Sequence, residues 1–165
     1  LEIKAEAMDL TSSLYEAADA VATRLTDRAQ MHEIEIEPGL PLVDADPEAI
    51  YHVITHLIQN AHRCSPDNET IRLSAHKVRE DSNLYVALEI TDRGGGIAPA
   101  DHKKIFNRFY RSDNPLVEGL GDPEVNLPII KVLIEAHGGR IWADSEPGKG
   151  CTFTILLPVH STRRQ

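Results

Sequence analysis

Three groups of side chains in this chain are of types and spacings that suit binding chemistry. The first is Ile90-Thr91-Asp92-Arg93-Gly94-Gly95-Gly96-Ile97-Ala98-Pro99, an apolar run that ends in a carboxylate followed by three glycines. A carboxylate at a strand end can accept a hydrogen bond from a flat polar ring such as adenine, and glycine lets the backbone close in because it has no Cβ. Taken alone, such a pattern is more often a turn. The second group is His52, His56, Asn60 and Arg63, which share one polar stripe of a helix at about 100° per residue, with Asn60 nearest the apolar edge. The third is Phe106-Asn107-Arg108-Phe109-Tyr110-Arg111, with two aromatic residues suited to packing and two cations that lie off that face. His52 and His56, four apart, also raise a zinc reading, but no adjacent glutamate and no third ligand is identifiable. The remaining histidines read as surface residues.

These residues need elements to hold them. Residues 2–8 alternate as an edge strand does, and Asp9, Thr11 or Ser12 can cap a helix running to about Gln30 on the stripe Leu14, Ala17, Ala18, Val21 and Leu25. His32 to Glu37 alternates with Ile34 and Ile36 inward, Pro38-Gly39 turns the chain, and Pro41 to Asp44 forms an extended link. Asp46, Pro47 and Glu48 then supply an N-cap, a first-position proline and a charge suited to the helix dipole. The helix they open carries Ile50, Val53, Ile54, Leu57, Ile58 and Ala61 on one face and stops at Ser65-Pro66. Strands are predicted near Thr70–Val78 and Leu84–Thr91, joined by a longer loop from Arg79 to Asn83. A short helix follows from Pro99 to Phe109, then an aperiodic stretch from Ser112 to Asn126 of a length usual for lids. A helix over about Leu127–His137 turns Ile129, Ile130, Leu133 and Ile134 inward and stops at Gly138-Gly139; strands near Arg140–Asp144 and Cys151–Leu157 finish the chain. The fold class is α+β, with about three helices against one largely antiparallel sheet.

Composition bounds the function. The chain has 165 residues, enough for one domain with a real core, and a net charge of −9, which argues against a nucleic-acid partner. No apolar run approaches a membrane span, and a start at Leu1 reads as a fragment. Cys64 and Cys151 stand far apart, unlike a disulfide framework, so a cytoplasmic setting is expected, with membrane anchoring of a parent protein left open.

Four blocks in order, namely the helix with Asn60, the strand end with Asp92, the segment Phe106–Arg111 and the helix after the long loop, resemble the ATP-binding catalytic domain of bacterial sensor histidine kinases. That family belongs to the gyrase, chaperone, kinase and mismatch-repair ATPase superfamily. The resemblance runs from about Asp9 to Pro158 and includes Val43-Asp44-Ala45-Asp46-Pro47 and Gly148-Lys149-Gly150-Cys151-Thr152-Phe153. It implies a Bergerat-type two-layer α/β sandwich, with residues 1–165 forming a single catalytic domain and the dimerisation, phosphoacceptor and sensor domains lying elsewhere. It also implies binding of ATP with Mg²⁺ and transfer of the γ-phosphoryl to a histidine on the parent's own dimerisation domain. The parent would be a homodimer, and its partner the receiver domain of a response regulator.

By the same resemblance His56 and Asn60 are the catalytic candidates, with Asn60 the Mg²⁺ ligand, since an amide oxygen is a hard ligand. Asp92 would read the adenine amine. Arg63, Gly94, Gly96, Ile97, Arg108, Gly119, Gly121, Lys131 and Thr152 complete the expected ATP contacts. Three departures from the family pattern stand out. His56 replaces an asparagine, Cys64 replaces a ring-stacking tyrosine, and Asp122-Pro123-Glu124-Val125-Asn126-Leu127 replaces the second glycine box, Gly-x-Gly-Leu-Gly-Leu. They favour an alternative, a pseudokinase domain that regulates through contacts and binds nucleotide weakly or not at all. A serine kinase of the anti-sigma type is a third reading, against which the lead-in and the Phe106–Arg111 block argue.

Overall fold

Asp46 opens the helix on which the core is assembled. Its Oδ1 accepts the N–H groups of Glu48 and Ala49 at 3.1 and 3.3 Å, and Pro47 takes the first turn, where its missing N–H costs nothing. The computed structural model describes residues 3–22, 29–93, 127–146 and 150–161. The elements, in order, are β1 (Glu6–Met8), α1 (Leu10–Ala22), β2 (Met31–Ile36), β3 (Val43–Ala45), α2 (Pro47–Cys64), β4 (Thr70–Glu80), β5 (Asn83–Thr91), α3 (Leu127–Ala136), β6 (Arg140–Glu146) and β7 (Gly150–Pro158). The expected helix over 99–109, the stretch 112–126 and residues 23–28 of the expected first helix lie outside the described residues; Ala29, at φ 53°, and Gln30 are not helical, so the first helix stops short of Gln30.

Five strands form one sheet in the order β2-β4-β5-β7-β6. All neighbours are antiparallel except β2 and β4, which run parallel with β3 and α2 making the crossover between them. Alternation divides the sheet into two faces. Leu73, Ile90, Phe153 and Ala143 line up across four strands, as do Ala75, Leu88, Ile155 and Ile141, and all are buried. The α2 stripe of Ile50, Val53, Ile54, Leu57 and Ile58 is buried in the same core, each side chain contributing about 2 kcal/mol by leaving water. The opposite face carries Arg72, Ser74, Glu89, Thr91 and Thr152. The expected two-layer α+β architecture is the one observed.

Several local expectations are corrected. The strand expected over 2–8 is confined to Glu6–Met8, and the expected link at Pro41–Asp44 runs into β3; these two strands pair antiparallel as a second, two-stranded sheet. Ile129 is 54% exposed: α3 is apolar nearly all round, and it buries Leu127, Ile130 and Ile134 instead. Two histidines expected at the surface, His62 and His137, are buried. His137 Nε2 accepts the Asp46 N–H at 3.0 Å, and its Nδ1 lies 2.6 Å from Leu133 O, so Nδ1 carries the proton and the ring is neutral. It joins the end of α3 to the start of α2. Gly138, at φ 76°, then ends α3, with Gly138 N–H bonded to Glu135 O and Gly139 N–H to Ile134 O.

The β4–β5 connection is tighter than expected. Glu80 pairs with Asn83, so only Asp81 and Ser82 turn the chain, at φ 51° and 70°. Two consecutive left-handed residues make a type I′ hairpin turn, normally signalled by Asn-Gly or Asp-Gly. Neither residue is glycine, so the turn carries strain. Ser82→Gly should raise the unfolding free energy by about 0.5–1 kcal/mol, read as a higher urea midpoint at unchanged slope.

Candidate functional site

The site is built where the end of α2 meets the ends of β5 and β7. Ile90 faces the helices and Thr91 faces away, so Asp92 faces the helices again. Asp92 is buried, 1% exposed, and β7 meets it with its main chain. Asp92 N–H donates to Cys151 O at 2.8 Å, and Cys151 N–H donates back to Asp92 Oδ1 at 3.2 Å. The side chain thus adds one more rung to the β5–β7 ladder and is fixed in direction. Gly150 makes room for it: a Cβ there would lie 2.2 Å from Asp92 O, and the residue sits at φ 98°.

From α2, Asn60 and Cys64 stand one turn apart, both buried. The Cys64 thiol is pushed up to about 12 by burial and by the neighbouring Asp92 charge, so it stays protonated and unreactive at neutral pH. Ser65 ends the helix, and its hydroxyl accepts the Arg93 N–H at 2.9 Å, which ties the end of α2 to the residue after Asp92. Asn60 is 1% exposed, yet neither Oδ1 nor Nδ2 has a hydrogen-bond partner among the described residues. Buried amides are almost always paired, and leaving one unpaired costs about 1–3 kcal/mol. A buried amide oxygen with no partner among the described residues fits a hard cation, and thus fits Mg²⁺ carried by a nucleotide.

Other expected residues are placed less closely. His56, one turn before Asn60, is half-buried and packs against His52 with ring centroids 6.4 Å apart; burial, then the His52 charge, lowers its pKa, so it is neutral at pH 7. Among the described residues no third metal-ligating side chain joins this pair, so the zinc reading has no site. Arg63 is exposed on the last turn of α2, and Lys131 pairs with Glu135 at 2.6 Å on α3. Thr152 lies on the opposite face of the sheet, its hydroxyl 2.9 Å from that of Thr91; the neighbouring Cys151 is the residue that meets Asp92. Gly94, Gly96, Ile97, Arg108, Gly119 and Gly121 lie outside the described residues. A cavity of about 560 Å³, lined in part by Glu35, Arg72, His76, Glu89 and Thr91, opens on the sheet face opposite to Asp92, and Arg72 pairs with Glu35 there as His76 does with Glu89.

Sequence reasoning missed Gly150, Cys151 and Ser65 as supports of the site. Gly150 and Cys151 were legible as part of the Gly148–Phe153 block.

A family model described as histidine kinase-, DNA gyrase B-, and HSP90-like ATPase matches residues 45–161. The sensor histidine kinase WalK of Bacillus subtilis is 37% identical over 141 residues, which cover 81% of this chain and 23% of that protein. The adaptive-response sensory kinase SasA of Thermosynechococcus vestitus is 34% identical over 163 residues, 98% of this chain and 41% of that one. Among solved structures, full-length ShkA in complex with AMPPNP superposes with a TM-score of 0.79 at 22% identity, over 98% of this chain and 33% of that chain. The chain therefore spans well under half the length of these relatives.

Two outcomes follow from the geometry. Asn60→Ala should raise the unfolding free energy by about 1 kcal/mol, because it removes an unpaired amide and improves helix propensity; chemical denaturation reads this. The pH response rests on His32 and His56, both lowered chiefly by burial. The unfolded chain takes up protons near the ordinary histidine value while the folded chain resists, so their contribution is full above about pH 6.5 and is lost as pH falls below it. The urea midpoint should hold from about pH 8 to 7 and decline toward pH 5, and His56→Asn should flatten that decline.

Proposed function

The chain belongs to the histidine kinase-, DNA gyrase B- and HSP90-like ATPase family, and from that premise we propose that it is the ATP-binding catalytic domain of a two-component sensor histidine kinase. The observation that carries this reading is the buried Asp92 carboxylate, held in direction by Cys151 N–H where Gly150 lets β7 approach the Asp92 main chain, together with the buried amide of Asn60 on α2, which has no hydrogen-bond partner among the described residues. Asp92 is the base reader: one oxygen is held by Cys151 N–H, and the carboxylate accepts the exocyclic amine of adenine. Gly94, Gly96 and Ile97 give the close backbone approach to the ring. Asn60 would hold, through its amide oxygen, Mg²⁺ that would supply neutralising charge to the phosphate oxygens.

The chain's own residues do the rest by positioning. His56, neutral at pH 7, offers a hydrogen bond one turn from Asn60. Arg63, Arg108 and Lys131 supply positive charge to the phosphates, with Gly119 and Gly121 providing backbone donors. Thr152 takes no part in this reading, because its hydroxyl faces away from Asp92 and bonds to Thr91. The γ-phosphoryl passes to a histidine on a separate dimerisation domain of a homodimeric parent, and from there to the receiver domain of a response regulator. Residues 1–165 form that single catalytic domain, working in the cytoplasm. No helix among the described residues is long and apolar enough to cross a membrane.

His56, Cys64 and the Asp122–Asn126 segment favour a second reading, a regulatory domain that binds nucleotide weakly or not at all. Thermal unfolding separates the two. Mg-ATP at about one hundred times its Kd should stabilise the chain by about 2.7 kcal/mol. Asp92→Asn, which keeps an oxygen for Cys151 N–H but opposes the adenine amine with its own NH₂, should abolish the shift. Asn60→Ala should remove its dependence on Mg²⁺. No shift with either ATP or ADP would select the regulatory reading.

A further inference from the structure

An α-helix ends with four carbonyls that have no partner within the helix. The α3 helix meets this with Gly138 in the left-handed region, but α2 ends on Ser65, at φ −94° and ψ 148°, with Pro66 next. Its cap comes from far away in the chain. Gln30, on the segment leading into β2, is buried, and its Nε2 donates to His62 O at 3.1 Å, Ser65 O at 2.9 Å and Pro66 O at 2.9 Å. Two amide protons serve three carbonyls, so one is shared.

The other end of the amide sets the direction of the network. Gln30 Oε1 lies 2.7 Å from His62 Nδ1; an amide oxygen carries no proton, so His62 donates. On neutral rings His62 Nε2 then accepts from His32 Nε2, 2.6 Å away. His32 is half-buried, with Asp19 of α1 facing it, and burial holds it below its ordinary value. Donation runs one way, from β2 through His62 and Gln30 to the end of α2.

That end is part of the nucleotide site. Ser65, whose carbonyl Gln30 holds, accepts the Arg93 N–H through its hydroxyl, and Arg93 follows Asp92. Asn60, Arg63 and Cys64 stand on the last two turns of the same helix. Gln30 and His32 both lie before residue 45, where the family match begins, so this clamp is supplied from outside the matched segment.

We propose that Gln30 is a positioning residue of the nucleotide site: it fixes the last turn of α2 and, through Ser65, the backbone beside Asp92. The inference rests on the ATP-binding reading above. A helix cap without that role would lower stability and leave affinity alone, so the test measures affinity in fully folded protein. Gln30→Met keeps the length of the side chain and removes its polar atoms. Mg-ADP affinity, measured by calorimetry at a temperature where circular dichroism shows both proteins folded, should weaken about tenfold, and the Arg93 amide should exchange faster with solvent. Ser65→Ala should act along the same route, so the double variant should bind no more weakly than the weaker single. An affinity within about twofold of the unsubstituted chain, or losses that simply add, would overturn the proposal. If Gln30→Met does not fold, Ser65→Ala carries the test alone: unchanged ADP affinity overturns it. Failure of the ATP-binding reading shows separately, as an unsubstituted chain that binds no ADP.

Discussion

A carboxylate buried in an apolar core is tolerable only where main-chain donors meet it, and the arrangement around Asp92 follows from that requirement. The donor is Cys151 N–H, which is within reach because β7 continues beside β5 past the last regular pair. That closeness in turn demands Gly150, since any Cβ would strike Asp92 O. On the helix side Cys64, with its thiol held protonated by burial and by the Asp92 charge, brings no second charge to the acid. The hydroxyl of Ser65 closes the ring by holding the next backbone amide. Four residues, two from β7 and two from the end of α2, are thus committed to one acid.

How much of this was legible depended on whether the signal was local. The α2 helix was readable from end to end because Asp46-Pro47-Glu48 marks its start and a single apolar stripe marks its buried face. Asn60 was placed at the edge of that stripe by spacing alone, and it is buried there. The β3 strand was not readable, since its partner β1 lies more than thirty residues away and three residues show no periodicity. The Asp81-Ser82 turn was hidden because left-handed residues other than glycine carry no compositional mark. In α3, apolar residues on every side left the buried face undetermined. His62 and His137 were misjudged for a different reason: a histidine's burial depends on distant partners, here Gln30 and Asp46, that no helical wheel contains.

Asn60 shows what the site costs the fold. A leucine-like residue at that position would complete the stripe that packs on the sheet, whereas the amide buries two polar atoms that have no partners among the described residues. Local rules of helix propensity and polar satisfaction are both broken at the same residue, and such coincidences mark places where a sequence serves something other than stability.

The neutral ring of His137 has a wider effect than the two hydrogen bonds it makes. It accepts from the first backbone amide of the α2 cap and donates to a carbonyl in the last turn of α3. The start of α2 and the end of α3 are therefore tied through a single imidazole, and a displacement of α3 alone would leave the Asp46 amide without this acceptor.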